Sequence, residues 1–376
     1  MPLTHMIRIL DIFMLKRESV SLATSDLQFG FKPKLSATMA TTVVTETIDY
    51  YKNNGGRVYA LALDATKAFD RVEFGKLFET LLKRNFNCIY MRLLFNMYKN
   101  QTLRVRFNNT YSDFFSVTNG VKQGGVISPT LFTCYVDGML QKLRDSQIGC
   151  NVGNMYMGCV SYADDLVLLA TSISSLNHMI KICETYAVEH NIQFNGTKSK
   201  LAVFSNDRDQ FMPTIYVSGE QVEIVNSLKY LGHTLHTDIL NPHVEDVRRD
   251  FLLKVNSFLG DFPDIASFVK YDLFNKYCMC LYGSNISNLA SPEMETLFTE
   301  WRKAIRRVMR VPPRTHSNLL CHIIQNPPPD ILLFQRFIHF FIVVIVAIIQ
   351  SYDLFSEAHS LSHLNSGTIY VIYSTK

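Results

Sequence analysis

Three aspartates have the residue type and the spacing for metal-assisted chemistry. Asp164 and Asp165 are adjacent between two short apolar segments, and Asp64 ends an apolar run far upstream. Adjacent carboxylates repel each other, so one of them tends to stay protonated unless divalent cations reverse that preference. A third acid would complete a clamp for two ions, which stabilises the attacking and leaving oxygens of phosphoryl transfer. The pattern therefore predicts phosphoryl-transfer chemistry with two bound ions, Mg²⁺ or Mn²⁺.

Short apolar segments would position these acids. Residues 58–63 form a continuous apolar run, the pattern of a strand buried on both faces, directly before Asp64. Residues 159–162 and 166–169 predict a hairpin whose turn carries Ala163, Asp164 and Asp165. A helix follows over roughly 173–190. Because strands and helices do not alternate as regular βαβ units, an α+β fold is favoured over a doubly wound sheet.

Other local patterns predict the elements around this hairpin. Asp70 and Glu73 have the spacing of a capping box, followed by an apolar helical stripe of Phe74, Leu77, Phe78, Leu81 and Leu82. Residues 103–117 predict a hairpin with a basic outer face, since arginines alternate with apolar side chains on its first strand. The glycine-rich stretch 120–125 leads into a helix that starts at Ser128 and Pro129.

Composition indicates a folded protein with a sizeable core. Hydrophobic residues make up 47% of the 376 residues and charged residues 19%. The formal charge of +4 is compatible with a polyanionic partner without demanding one. No leader is visible, the apolar run 337–349 is too short for a membrane span, and the eight cysteines show no secretory pattern. We therefore expect an intracellular protein, in nucleus or cytoplasm, with no membrane association and no zinc site.

Beyond about residue 225 the chain turns mostly helical, with candidate helices at 252–259, 273–282 and 294–309. The stretch 326–330, which contains three prolines, predicts a stiff break before the remaining tail. The apolar run 337–349 within that tail predicts a buried helix or strand.

Three motifs resemble, in order and separation, the palm motifs of reverse transcriptases. They are residues 62–70 (ALDATKAFD), residues 120–125 (GVKQGG) with Ser128 and Pro129, and residues 162–165 (YADD). The first motif is similar to that of non-LTR (LINE-type) retrotransposons more than to that of retroviruses. Residues 28–31 resemble a fingers motif, 195–198 a fourth palm motif and 228–232 the primer-grip region, so the resemblance covers roughly 25–235. Weaker similarity to the thumb continues through Tyr282-Gly283 to Thr315-His316.

The resemblance implies a right-hand polymerase. Its predicted parts are a partial fingers domain at 1–57, a palm with inserted fingers elements at 58–225, a thumb-like helical region at 226–326 and a tail of unknown role at 327–376. The implied activity is RNA-directed addition of dNMP units to a primer 3′-hydroxyl, with an RNA template, a DNA primer and dNTPs as partners. Because the chain begins just before the fingers motif, we expect strand cleavage to come from a separate upstream endonuclease domain.

The resemblance also assigns roles to individual residues. Asp64 and Asp164 would ligate the metal ions, and Asp165 would help to hold the ion that activates the primer 3′-hydroxyl. The backbone carbonyl oxygen near Ala65 would join these ligands. Phe69 stands at the aromatic gate that would exclude a ribose 2′-hydroxyl. Gln123 and Gly124 would contact the incoming nucleotide and the template. Lys198 would protonate or neutralise the pyrophosphate leaving group. Primer and template contacts are implied for Tyr162, Lys229, Tyr230, Leu231 and Gly232.

A basic row on the last predicted thumb helix could follow a phosphate backbone, and consists of Lys303, Arg306, Arg307 and Arg310. A solvated basic face explains this row equally well. Phe69 could equally be a core aromatic, and Lys198 a solvated lysine. The alternative to the enzyme is a truncated or co-opted remnant that binds nucleic acid without polymerising. A third alternative is an RNA-dependent RNA polymerase. It would have to incorporate ribonucleotides, which the aromatic gate at Phe69 would exclude.

Overall fold

The computed structural model describes residues 2–99, 101–122, 124–206, 214–237, 242–281, 284 and 289–342. The chain divides into two compact units, of which the first ends at Pro242 and the second begins at His243. Each unit has a hydrophobic core of its own. The finer division into fingers, palm and thumb stays a prediction.

The first unit combines helices with strands. Its helices are α1 Pro2–Arg17, α2 Ala37–Asn53, α3 Phe74–Lys83, α4 Cys88–Lys99, α5 Ser128–Ser146 and α6 Ile173–Glu189. Its strands are β1 Val58–Ala65, β2 Thr102–Leu103, β3 Arg106–Phe107, β4 Thr110–Tyr111, β5 Phe115–Ser116, β6 Asn151–Val152, β7 Met155–Tyr156, β8 Cys159–Tyr162, β9 Asp165–Ala170, β10 Phe194–Phe204, β11 Tyr216–Val217, β12 Glu220–Gln221, β13 Glu223–Ile224, β14 Ser227–Tyr230 and β15 His233–His236. This mixture confirms the predicted α+β class.

The main sheet of the described residues has the strand order β13–β10–β1–β9–β8. β1 lies at its centre and pairs antiparallel with β10 on one side and β9 on the other. Tyr59, Leu61 and Leu63 pack against apolar side chains of α5 and α6, whereas Val58 and Ala60 pack against those of α2 and β14. Both faces of β1 are therefore covered, as its uninterrupted apolar sequence predicts.

Helix α3 starts later than the sequence predicts. Its N-cap position is Glu73, which makes no side-chain capping bond, so the predicted capping box is wrong. The backbone N–H of Asp70 donates instead to the carbonyl of Lys67 at 3.0 Å, in a turn that begins with a positive φ of 49° at Lys67. That turn takes up the segment in which the helix would have begun. Of the predicted apolar stripe, Leu77, Phe78 and Leu81 are buried, Phe74 is half-buried and Leu82 is exposed.

The predicted change to helical structure comes at Pro242 instead of near residue 225. The segment before it forms the hairpin β14–β15, because buried Leu228 and Tyr230 alternate with exposed Lys229. After Pro242 the helices are α7 Pro242–Asp261, α8 Ser267–Tyr277, α9 Pro292–Met309 and α10 Ser317–Ile324. They enclose a core that includes Phe251, Phe274 and Trp301.

Residues 329–342 are helical, and Ile338, Phe341 and Ile342 on this segment are exposed, so the predicted burial is wrong for these described residues. The rest of the run to 349 and the tail beyond it lie outside the described residues. Within the described part of the chain, no helix is both long enough and apolar enough to cross a membrane.

Candidate active site

The three predicted aspartates meet at one end of the main sheet. Leu63 of β1 lies opposite Leu166 of β9 in an antiparallel register, so the next residues along, Asp64 and Asp165, stand side by side. Asp164 lies in the turn that joins β8 to β9. The strand pairing thus brings together acids that are far apart in the sequence.

The acids affect one another's ionisation. Burial raises the pKa of Asp165, and the negative charges of Asp164 and Asp64 raise it further. Burial also raises the pKa of Asp164; its own backbone N–H lowers that pKa, and the charge of Asp64 raises it. Two carboxylates whose ionised forms are both disfavoured are suited to a cation that restores their charge.

This donor set fits a hard divalent cation, because carboxylate oxygens are the ligands that Mg²⁺ and Mn²⁺ prefer. Among the described residues, no three His, Cys, Asp or Glu side chains are grouped closely enough to enclose an ion by themselves. Water and substrate phosphates would complete the coordination, as is usual for Mg²⁺ in nucleotide-binding sites.

Gln28 holds the turn that carries Asp164. Its fully buried side-chain oxygen accepts hydrogen bonds from the backbone N–H groups of Ala163 at 2.9 Å and Gly30 at 2.8 Å. Its amide nitrogen donates to the hydroxyl of Ser161 at 3.0 Å and to the carbonyl of Ala163 at 3.3 Å. Ala163 has a φ of 58°, a left-handed conformation that costs a non-glycine residue about 1–3 kcal/mol. The four hydrogen bonds stabilise this turn.

The segment around Gln28 covers the outer edge of β8, the last strand in the order of the main sheet. Ser161 donates its backbone N–H to Leu27 at 2.8 Å and accepts one from Phe29 at 2.8 Å. Gly30 then passes so close to the turn that a Cβ there would lie 2.4 Å from the backbone nitrogen of Ala163. Only glycine allows this approach.

The backbone of Asp64 has a second support. Its N–H donates to the hydroxyl of Ser199 at 3.1 Å, and that hydroxyl donates to the carbonyl of Asn195 at 2.7 Å. The pairing of β1 with β10 shifts between Ala62 and Asp64, which leaves the Asp64 N–H available for this side chain. The resemblance indicated the segment of Asn195, but nothing in the sequence pattern indicated Ser199.

An open cleft of about 470 Å³ lies beside Asp164. Its walls come from the two other palm motifs and are formed by Lys67, Ala68, Phe69, Asp70, Val121, Lys122, Gly124, Gly125, Ser128 and Pro129. Phe69 stacks on Phe132 with ring centres 4.1 Å apart, and meets Phe31 edge to face at 6.3 Å. Phe69 is therefore both a packed aromatic and part of the cleft wall.

Glycines shape the loop on the opposite side of this cleft. Gly120 has a φ of 91°, and a Cβ there would lie 3.0 Å from the carbonyl oxygen of Asp70. Gly124 has a φ of 76°, and a Cβ there would meet open space. Gln123, predicted to contact the nucleotide, lies outside the described residues. At the end of the loop, buried Asp11 accepts the backbone N–H of Val126 at 3.1 Å.

The remaining predicted palm residues lie around the acids in different settings. Ala65 ends β1 and pairs with Phe194. Tyr162 pairs with Asp165 across the β8–β9 hairpin. Lys198 is exposed on β10, and its backbone N–H donates to the side chain of Asn195 at 2.9 Å.

The predicted primer-grip residues form the hairpin β14–β15. Leu231 and Gly232 make its turn, with φ values of 48° and 78°. Lys229 is exposed, whereas Tyr230 is buried and its hydroxyl donates to the carbonyl of Val160 at 3.4 Å. Burial and the nearby charge of Asp165 raise the pKa of Tyr230. The side chain of Lys229 is thus accessible to a primer, whereas the side chain of Tyr230 is not.

The predicted basic row lies on α9 in the second unit, and its members contact protein groups there. Lys303 pairs with Glu300 at 2.9 Å. Arg306 donates to the carbonyl of Thr315 at 2.9 Å, and Arg307 to the side chain of Asn256 at 3.1 Å. Arg310 donates to the carbonyl of Pro263. These contacts fix neighbouring loops and helices, so a role in binding nucleic acid stays a prediction.

Comparisons with known proteins show what this sequence is similar to. The chain is 28% identical over 175 residues to the retrovirus-related Pol polyprotein from type-2 retrotransposable element R2DM of Drosophila melanogaster, covering 46% of this chain and 16% of that protein. It is 26% identical over 251 residues to the RNA-directed DNA polymerase from mobile element jockey of the same species, covering 64% of this chain and 26% of that protein. The chain thus spans about a quarter or less of the length of these relatives.

A solved structure of telomerase from Candida albicans has 11% identity and a TM-score of 0.49, covering 86% of this chain and 57% of that chain. The sequence pattern of the family described as reverse transcriptase (RNA-dependent DNA polymerase) matches residues 3–235. The retrotransposon relatives confirm the predicted resemblance to non-LTR elements. Since the family match covers more than half of the sequence and includes all three aspartates, the chain belongs to the reverse transcriptases.

Proposed function

We propose that this chain extends a DNA primer on an RNA template, adding dNMP units by two-metal phosphoryl transfer. The observation that carries the proposal is the meeting of Asp64, Asp164 and Asp165 beside an open cleft of about 470 Å³. That volume lies within the range of about 300–1,000 Å³ that is usual for small-molecule sites. Reverse transcriptases as a family use divalent metal ions and nucleic-acid substrates.

Asp64 and Asp164 would hold the two ions, with the backbone carbonyl of Ala65 as a further donor, and Asp165 would help at the ion nearest the primer hydroxyl. When bound, the ions would favour the ionised hydroxyl and stabilise both the attacking and the leaving oxygen. The protein's own contribution is to fix the acids in position. Gln28 holds the turn of Asp164, and Ser199 holds the backbone of Asp64.

The incoming nucleotide would occupy the cleft between Phe69 and the loop of Gln123 and Gly124. Because Phe69 is held between Phe31 and Phe132, its ring has little freedom to move aside for a ribose 2′-hydroxyl. Steric exclusion at this ring would select deoxynucleotides. Lys198, exposed beside the segment that supports Asp64, would neutralise the leaving pyrophosphate.

The template and primer would extend from the cleft across the first unit. Tyr162 stands beside Asp165, and Lys229 with the turn of Leu231 and Gly232 would contact the primer backbone. The basic row on α9 would contribute phosphate contacts through whichever of its cations remain accessible. Strand cleavage by a separate endonuclease domain belongs to this proposal as an expectation.

A primer-extension assay on poly(rA)/oligo(dT) with Mg²⁺ tests the proposal. The unaltered chain should incorporate dTMP, and Asp164→Asn should abolish incorporation while it leaves the fold intact. Asp145→Asn is the matched control, because Asp145 is an exposed acid of α5 away from the sheet end, and its activity should be unchanged. Full incorporation by Asp164→Asn would remove the assignment.

The alternative of a remnant that binds nucleic acid without polymerising is not favoured, because the acids and the cleft both remain. It predicts nucleic-acid binding by the unaltered chain with no incorporation in the same assay. An RNA polymerase predicts incorporation of ribonucleotides, which conflicts with the packed ring of Phe69 at the cleft.

A further inference from the structure

A hairpin projects from the first unit with neither face packed. Strand β2 pairs with β5 and β3 pairs with β4, and every residue from 102 to 116 is exposed. Asn108 and Asn109 form its tip, with φ values of 44° and 63°. Two-stranded hairpins that pack on nothing are only marginally stable in water. This one carries functional groups that neither the fold nor the polymerase site uses.

The hairpin exposes large aromatic rings. Phe107 is 75% exposed, Phe114 66% and Phe115 49%. Scattered apolar residues on a surface need no explanation, but several on one short projecting element indicate a surface that binds a partner. Flat rings accessible to solvent provide stacking platforms for unpaired bases.

Two arginines are arranged among these rings. The guanidinium of Arg104 lies 4.0 Å from the ring centre of Tyr111 and 5.1 Å from that of Phe114. Arg106 lies 5.6 Å from the ring centre of Tyr111 and donates to the side chain of Asn109 at 2.6 Å. The rings therefore order the guanidinium groups before any partner binds, which lowers the entropic cost of binding.

The charge of the hairpin favours a polyanion. Within the described residues, neither Arg104 nor Arg106 forms an ion pair with a carboxylate. Asp113 is the single acidic residue in the sequence of the hairpin. Unpaired guanidinium groups next to exposed rings match a single strand, whose phosphates and bases alternate along the chain. A paired duplex would hide its bases from the rings.

We propose that the hairpin 102–117 binds single-stranded RNA, stacking bases on Phe107 and Phe114 and contacting phosphates through Arg104 and Arg106. The choice of RNA rests on the proposed function, because the template ahead of the primer is then the unpaired strand of the substrate. The hairpin would hold that strand outside the cleft.

The test measures binding of the full chain to fluorescein-labelled oligo(rA) by anisotropy, without dNTPs, and compares it with a blunt oligo(rA)/oligo(dT) duplex. The double variant Phe107→Ala/Phe114→Ala should weaken binding of the single strand by about tenfold or more for each ring. Binding of the duplex should not change. Tyr216→Ala is the matched control, because Tyr216 is an exposed aromatic of β11 in the same unit, and it should bind like the unaltered chain.

A second variant, Arg104→Gln/Arg106→Gln, keeps the rings and removes the charges. It should reduce the slope of log Kd against log salt by about 0.7 for each phosphate that these arginines neutralise. Single-strand affinity and salt slope that stay unchanged in both variants would overturn the proposal, and so would equal weakening of the duplex. A shift in oligomeric state without a change in RNA affinity would identify the hairpin as a protein-binding surface and also overturn it.

Primer extension by the same preparations separates this inference from the proposed function. If the unaltered chain fails to incorporate dTMP, the proposed function fails whatever the hairpin binds. If it incorporates dTMP and both hairpin variants bind the single strand normally, the hairpin proposal fails alone.

Discussion

Replacement of Gln28 by leucine should unfold the turn of Asp164 locally and destabilise the first unit. Leucine has a similar size but neither accepts nor donates hydrogen bonds. The backbone N–H groups of Ala163 and Gly30 would lose their acceptor at a site where Gln28 is fully buried. An unsatisfied buried donor costs about 1–3 kcal/mol, so the two together predict a loss of about 2–6 kcal/mol in the free energy of unfolding.

Urea unfolding and hydrogen exchange measure this loss in separate ways. Exchange of the peptide 159–170 should speed up, because the left-handed conformation of Ala163 is no longer compensated. The urea transition is followed by far-ultraviolet circular dichroism, because the single tryptophan, Trp301, lies in α9 of the second unit and its fluorescence does not report on the first. Gln221→Leu is the matched control, since Gln221 is an exposed glutamine of β12 in the same unit, and it should unfold like the unaltered chain.

Activity adds a readout that general destabilisation does not predict. At a temperature where Gln28→Leu remains folded, kcat for primer extension should fall while the Kd for duplex stays constant, because the variant misplaces Asp164 and leaves the nucleic-acid surface intact. Equal urea midpoints and equal exchange for Gln28→Leu and the unaltered chain would refute the reasoning.

Three further predictions concern the same site. Asp165→Asn should stabilise the fold at neutral pH. Burial raises the pKa of Asp165 in the folded protein, so the stability that this carboxyl contributes is present below its unfolded pKa of about 3.9 and is lost as pH rises through its folded pKa. Urea midpoints that show no gain for the variant at neutral pH contradict this. Phe69→Val should raise the ratio of kcat/KM for ribonucleotides to that for deoxynucleotides by about tenfold or more, measured with UTP against dTTP, and an unchanged ratio argues against the steric gate. Gly30→Ala should lower the free energy of unfolding by about 1–3 kcal/mol, since its Cβ would lie 2.4 Å from the nitrogen of Ala163, whereas Gly75→Ala on α3 serves as a control because a Cβ there would meet only an ordinary contact at 3.8 Å.

Local patterns predicted the elements that carry the acids. The apolar run before Asp64 and the two segments around Asp164 and Asp165 became β1, β8 and β9. The helix after them is α6, close to the predicted bounds. These predictions succeed because periodicity and turn residues act over a few neighbouring positions.

Predictions failed where distant contacts override a local preference. Asp70 has a capping pattern, yet the turn from Lys67 places the start of α3 at Phe74. The segment after residue 225 forms strands because Leu228 and Tyr230 find a hydrophobic surface on the main sheet. The periodicity of α9 also could not reveal which carbonyls and side chains the arginines of the basic row contact, although their predicted role with nucleic acid stays a prediction.

The sequence by itself determined the family, the three aspartates and the strands that carry or flank them, since these follow from residue types at short spacing and from motif order. Only the tertiary structure decided how the acids are held. Gln28 reaches across the chain to the turn of Ala163, and Ser199 reaches the backbone of Asp64. Such hydrogen bonds depend on the register of paired strands, which is set when distant segments pack together and leaves no periodic signal in the sequence.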